Sequence, residues 1–212
     1  MYARKVKDQV LTLQVSGKLW NRSLVIRDIE TGSLWSHILG KCMDGDLKGS
    51  TFDFIPATMT TWLDWKDKYP ESTVLDLPRT ASSFVRDIMD HRDVYAYGIK
   101  VGTETAAYSY TKLFEQPLME DELAGSPFIL AFDVDSTRTF AFHRTLGEKT
   151  LSFESELKND SMVDKETGSL WDPWTGVSTS GAHKGEQLKP VYGLITYIKS
   201  WKQFYPDSRL VD

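Results

Sequence analysis

Apolar and polar residues alternate along much of this chain, the period of a sheet with one face in the core. Val10-Leu11-Thr12-Leu13-Gln14-Val15 and Ser23-Leu24-Val25-Ile26-Arg27 read as strands, and Ser33-Leu34-Trp35 reads as a third after a Glu30-Thr31-Gly32 turn. Gly32 suits that turn because it adopts a positive φ at no steric cost. Tyr95–Val101, Thr105–Tyr110, Pro127–Phe132 and Thr139–His143 are further strand candidates. Helical spacing is rarer. Thr60–Tyr69 puts Trp62, Trp65 and Tyr69 at i, i+3 and i+7, one helical face directed at the core. A threonine is available as N-cap and Pro70 stands just beyond the end. Asp76–Asp90 reads as a connector containing a second helix over Ser82–Met89.

The pattern occurs twice. Glu30-Thr31-Gly32-Ser33-Leu34-Trp35 returns as Glu166-Thr167-Gly168-Ser169-Leu170-Trp171, a shift of 136 residues. At that shift 17 of the 45 positions from Asp28 to Ser72 are identical, among them three further glycines and the pairs Trp65/Trp201, Tyr69/Tyr205 and Pro70/Pro206. Upstream, Arg4 and Leu11-Thr12-Leu13 align with Arg144 and Leu151-Ser152-Phe153 at a shift of 140, so copy one carries four extra residues near 16–22. Self-similarity on this scale means a duplicated structural unit. The expected fold is a β-rich α+β protein of two strand-hairpin-loop-helix units in pseudo-twofold packing, each completing its core against the other. Copy one spans 1–75, the connector 76–92, and copy two 93–212, of which 93–141 form a front half. Copy one has no such half within the chain, so an upstream segment or a homo-oligomeric neighbour is expected to supply strands to it.

Composition narrows the function classes. The chain has 212 residues, 41% of them hydrophobic, with 7 Trp, 9 Tyr and 10 Phe, enough to build a sizeable core. A net charge of −5 argues against a binder of double-stranded nucleic acid, whose affinity comes from Lys and Arg on phosphates. Cys42 stands alone, so no disulfide forms within the chain and no CxxC or zinc pattern exists. The apolar runs near Pro127–Phe132 and Val191–Ile198 are too short to span a membrane. No signal peptide is visible at the start.

Val15-Ser16-Gly17-Lys18-Leu19-Trp20-Asn21 and Leu24–Ser36 resemble a widespread microbial family, DUF3179, catalogued as a domain of unknown function. Gly40-Lys41-Cys42-Met43-Asp44-Gly45-Asp46-Leu47-Lys48-Gly49, Thr60–Trp65 and Tyr69-Pro70 carry the same resemblance, which covers nearly the whole chain. It implies a duplicated, often exported protein and so leans toward the cell envelope; it implies no established activity. Such proteins typically carry a Thr-Tyr-Cys-Pro-Leu-Cys element. The matching place here is Ala131-Phe132-Asp133-Val134-Asp135-Ser136, without cysteine, so no redox or metal role is carried over with it.

Candidate chemistry is sparse. Asp28 and Glu30, repeated as Asp164 and Glu166, could hold a hard cation or could brace the hairpin turn. His37, Cys42 and Met43 offer a soft-metal set or ordinary packing, and copy two replaces them with Pro173, Ser178 and Thr179. Trp174 sits in a loop, exposed for a ligand. The sequence supports best a recognition or scaffolding module, its small-molecule or glycan ligand held where the glycine loops of the copies meet by Asp28, Glu30, His37, Trp174 and His183. The alternative is a metal-dependent or hydrolytic enzyme using Asp28, Glu30, His37 and His183, although no nucleophile, phosphate-loop or zinc motif occurs.

Overall fold

The computed structural model describes residues 1–74 and 84–212 and is strand-rich. Copy one opens with a short ladder, β1 (Lys5–Val6) against β2 (Gln9–Val10). Next come β3 (Leu13–Trp20), β4 (Ser23–Asp28), β5 (Leu34–Ser36) and β6 (Cys42–Asp44), an antiparallel meander in chain order. The run Val10–Val15 is divided because Leu11 turns into the core, its N–H closing the β1–β2 ladder on the Arg4 carbonyl, and the Thr12 N–H donates to the Glu30 carboxylate before β3 begins. α1 (Trp62–Lys68) is capped by Thr61, whose hydroxyl accepts from the Asp64 N–H. α2 (Phe84–Asp90) lies where the connector helix was expected; residues 82 and 83 of that helix fall outside the described residues.

The second half is larger. β7 (Tyr95–Val101), β8 (Glu104–Ser109), α3 (Tyr110–Glu115), β9 (Leu118–Leu123), β10 (Ser126–Phe132) and β11 (Thr139–His143) form its front part. The repeat follows as β12 (Thr145–Leu146), β13 (Lys149–Thr150), β14 (Met162–Val163), β15 (Leu170–Trp171), β16 (Ser178–Ser180), β17 (Gly193–Tyr197), α4 (Ile198–Phe204) and β18 (Arg209–Val211). β17, β7, β8 and β18 make one sheet in that order, with β18 parallel to β8. β11, β10 and β9 make another.

The two copies follow matching backbone paths. Gly45 and Gly181 have φ of 98° and 89°, Gly49 and Gly185 of 89° and 88°. The hydrogen bonds repeat as well: Ala3 N–H to Asp53 O corresponds to His143 N–H to Lys189 O, and Ile55 N–H to Met1 O corresponds to Val191 N–H to Ala141 O.

Core sharing differs from the expectation. Trp35 is buried with Val6, Leu11, Ile26, Cys42, Leu47 and Phe52, all from copy one. Trp171 is buried with Phe142, Leu151, Phe153, Met162 and Leu188 of its own repeat and Leu118, Ile129 and Ala131 of its front half. Each tryptophan core therefore closes within its own half, because the short meander folds back over its own indole. The halves do meet elsewhere: Ile38 of copy one is buried against Ala96, Ala107 and Trp201, and Trp20 packs edge-on against Phe204 at 4.9 Å.

The two repeat helices also part company. Trp201 is 1% exposed, whereas Trp62, Trp65 and Tyr69 are 42%, 37% and 38% exposed, so the aromatic face of α1 is not the core face the spacing implied. α4 lies on the sheet of β7 and β8; among the described residues no strand is paired beneath α1.

Candidate functional site

The repeated carboxylates brace turns. Asp28 is fully buried; one oxygen accepts from the Thr31 N–H at 2.7 Å and the Thr31 hydroxyl at 2.8 Å, the other from the Trp35 indole N–H at 2.8 Å. Asp164 does the same with Thr167 and Trp171, at 2.7, 2.7 and 2.9 Å. Glu30 points away from Asp28 and accepts from the Thr12 N–H at 2.7 Å, while Glu166 accepts from Ser152. The pair at i, i+2 therefore serves two separate anchors and presents no shared cation face.

Burial alone would raise the Asp28 and Asp164 pKa values, but the indole and threonine donors outweigh it and hold both below the ordinary carboxylate value. Their contribution to stability is complete above the unfolded-state value near 4 and is lost as pH falls through the lower folded-state values. Melting temperature should therefore drop steeply in acid. The Asp28→Asn/Asp164→Asn double variant should be less stable at neutral pH yet show a flatter acid limb, a comparison made by circular dichroism.

The histidines are dispersed. His37 lies edge-on to Tyr2, 6.0 Å between centroids, and lines an apolar recess with Tyr192 and Leu194. Its pKa is lowered by burial and then by the N-terminal ammonium. His183 stands where copy one has Leu47: both donate their backbone N–H at 3.3 Å to the serine of the turn, Ser169 or Ser33, and His183 packs over Trp171. Cys42 is 1% exposed beside Trp35, its thiol pKa raised by burial. Among the described residues no group of three or more His, Cys, Asp or Glu is placed to hold a metal ion. Of the five expected ligand residues, only Trp174 lines the cleft described next; Asp28, Glu30, His37 and His183 lie elsewhere.

That cleft encloses about 490 Å³ between α1 of copy one and the second half. It lies between one copy's helix and the other copy's Asp172–Trp174 loop, not between two glycine loops. Arg138, 7% exposed, organises it. The guanidinium donates to Asp64 at 2.7 Å and to Asp133 at 3.1 Å, and stacks on Trp174 with its carbon 3.8 Å from the ring centroid. Lys68 pairs with Asp172 across the same junction. Asp133 also ties its own loop, accepting at one oxygen from the Ser136 N–H and hydroxyl at 2.8 and 2.9 Å. Asp135 and Asp160 also line the cleft and make no ion pair among the described residues. Five aspartates thus face one arginine and one lysine, leaving an acidic cleft with an indole in its wall.

A sequence model described as a protein of unknown function, DUF3179, matches residues 1–89 and again 86–212. The chain belongs to the DUF3179 family. No curated protein and no solved structure matches it. The double match places a family unit on each half, in line with the duplication. In this DUF3179 chain Asp133 and Ser136 stand where the resemblance noted above places the two cysteines, and both belong to the loop that walls the cleft. Arg138 and Asp64 escaped sequence reasoning because they are 74 residues apart and share no motif.

Proposed function

We propose that this protein is a ligand-recognition module that binds a small glycan, bearing free hydroxyl or amino groups, in the cleft between α1 and the Asp172–Trp174 loop. The observation that carries this reading is the combination of an indole edge and excess carboxylates in one recess of about 490 Å³. Ligand sites commonly have that volume and join an apolar wall to a few polar groups. Carboxylates accept hydrogen bonds from hydroxyl and ammonium groups, and the indole edge beside the Arg138 stack offers apolar surface to the C–H groups of a sugar. Paired charges around Arg138 hold the walls in place before a ligand arrives, which reduces the ordering cost of binding.

The same reading takes the two copies as related by a pseudo-twofold axis through this junction. Trp174 meets Trp65 at 6.2 Å, and their partners one repeat away, Ile38 and Trp201, also pack together. Phe54 and Tyr192 stack across the two halves at 4.0 Å.

A thermal-shift screen against neutral and amino oligosaccharides tests the proposal. A binding member should raise the melting temperature of the wild type, and Trp174→Ala should weaken its affinity by about tenfold or more. Trp20→Ala, outside the cleft, should leave it unchanged. No hit in the panel, or a hit indifferent to Trp174→Ala, would refute the reading.

A further inference from the structure

One structural unit occurs in both copies, covered by a sheet in the second and, beyond its contact with Trp174, exposed in the first. In copy two, the Trp201 indole N–H donates to the Ser208 hydroxyl at 2.7 Å, Trp201 and Tyr205 rings lie 4.4 Å apart at 44°, and Tyr205 ends α4 with φ −134° and ψ 75°. In copy one, Trp65 donates to Ser72 at 3.0 Å, Trp65 and Tyr69 lie 4.6 Å apart at 41°, and Tyr69 ends α1 with φ −130° and ψ 76°. The local geometry is the same. Its surroundings are not.

Copy two inserts this unit into a sheet. β17 pairs with β7 on one side of the unit and β18 pairs with β8 on the other. The face toward Trp201 is made of small residues, Ala96, Gly98 and Ala107, and a Cβ added to Gly98 would overlap the indole. Lys100 at the hairpin edge lies 5.9 Å from the Tyr205 ring centre. The counterparts of β17 and of the start of β18 in copy one are Ala57–Thr61 and Thr73-Val74. Among the described residues neither segment belongs to a sheet, and Met59 and Val74 are 41% and 57% exposed.

We infer that residues 57–74 form a docking face for a β-hairpin of a partner polypeptide, with glycine or alanine opposite the Trp65 indole and a basic residue near Tyr69. Such a hairpin would pair with Ala57–Thr61 on one edge and with Thr73-Val74 on the other, an instance of strand addition to open backbone. Charge specifies the basic residue. Asp67 and Glu71 are exposed on the unit, where copy two has Gln203 and Asp207, while Lys66 is held by the Ser72 carbonyl and Lys68 by Asp172. The local surface beside Tyr69 is therefore more acidic than its counterpart, and complementary to a lysine placed as Lys100 is.

The probe is a fluorescently labelled synthetic peptide with the sequence of residues 94–110, titrated with the full chain and followed by anisotropy. Saturable binding is expected. It should weaken about tenfold or more with the exposed-site variant Met59→Lys, and equally when the peptide carries Gly98→Val. Circular dichroism on Met59→Lys shows that the fold is retained, and Trp65→Ala gives a second reading of the same face. The inference is overturned if the peptide does not saturate or if its binding ignores both substitutions. It is also overturned if sedimentation shows a dimer of the chain that Met59→Lys dissolves, since the face would then belong to a second copy.

Discussion

Trp171→Ala should lower the unfolding free energy by about 3–5 kcal/mol, at the upper end of large-to-small core substitutions. Trp171 is fully buried, so truncation leaves a cavity among Phe153, Met162 and Leu188. It also removes the 2.9 Å indole donor from the buried Asp164 carboxylate, which then keeps its charge with one fewer hydrogen bond. Trp35→Ala should cost a similar amount, because Asp28, Thr31 and Trp35 repeat the arrangement in a separate core. The melting midpoint should fall by roughly 6–20 °C for either variant in a chain of this size. Chemical denaturation measures both, and a loss below about 1 kcal/mol would show that these indoles are not the centres of their cores.

Gly181→Ala should lower stability by about 2–4 kcal/mol, from left-handed strain and overpacking together. Its φ is +89°, and a Cβ there would lie 2.5 Å from the Ser169 hydroxyl and 2.7 Å from the Ser169 Cα. The backbone atom cannot swing aside, and the hydroxyl is engaged with Thr167 and the His183 N–H. Gly45→Ala meets the same obstacle at Ser33. Gly185→Ala isolates the conformational part, since φ is +88° but no atom lies within 4 Å of the added carbon. Denaturant midpoints for the three variants should therefore rank Gly185→Ala as the mildest. Equal losses at Gly181 and Gly185 would mean that the close approach to the turn serine carries no weight.

Much of this local architecture was legible in the sequence because its contacts are local. The Asp-x-Glu-Thr-Gly-Ser-x-Trp turn closes within eight residues, so side-chain chemistry alone indicates that Asp28 can reach Thr31. Tyr95–Val101 and Thr139–His143 alternate clearly and are the strands β7 and β11. Other features depended on tertiary pairing. Tyr110 looked like the end of a strand, yet Ser109 caps α3 by accepting the Lys112 N–H, and the chain turns there to bury Tyr110 and Leu113. The aromatic spacing of α1 reads the same as that of α4; whether a sheet lies beneath the face is set by distant strands, not by the helix. The cleft was illegible for the same reason. Its ion pairs join Asp64 to Arg138 and Lys68 to Asp172, separations of 74 and 104 residues with no repeat counterpart. Trp174 alone gave a signal, as an aromatic residue two positions before a glycine in a loop, where copy one has Ile38.

The proposed site falls where the two halves differ. Turns that fold each copy are the same twice, whereas Trp174, Arg138 and the acidic lining occur once. The most direct measurement is a crystal structure of the full chain soaked with the tightest-binding oligosaccharide from the screen. The account predicts sugar density against Trp174, with its hydroxyl or amino groups hydrogen-bonded to Asp135 or Asp160. Density in the apolar recess beside His37 and Tyr192, with the Trp174 cleft empty, would contradict it.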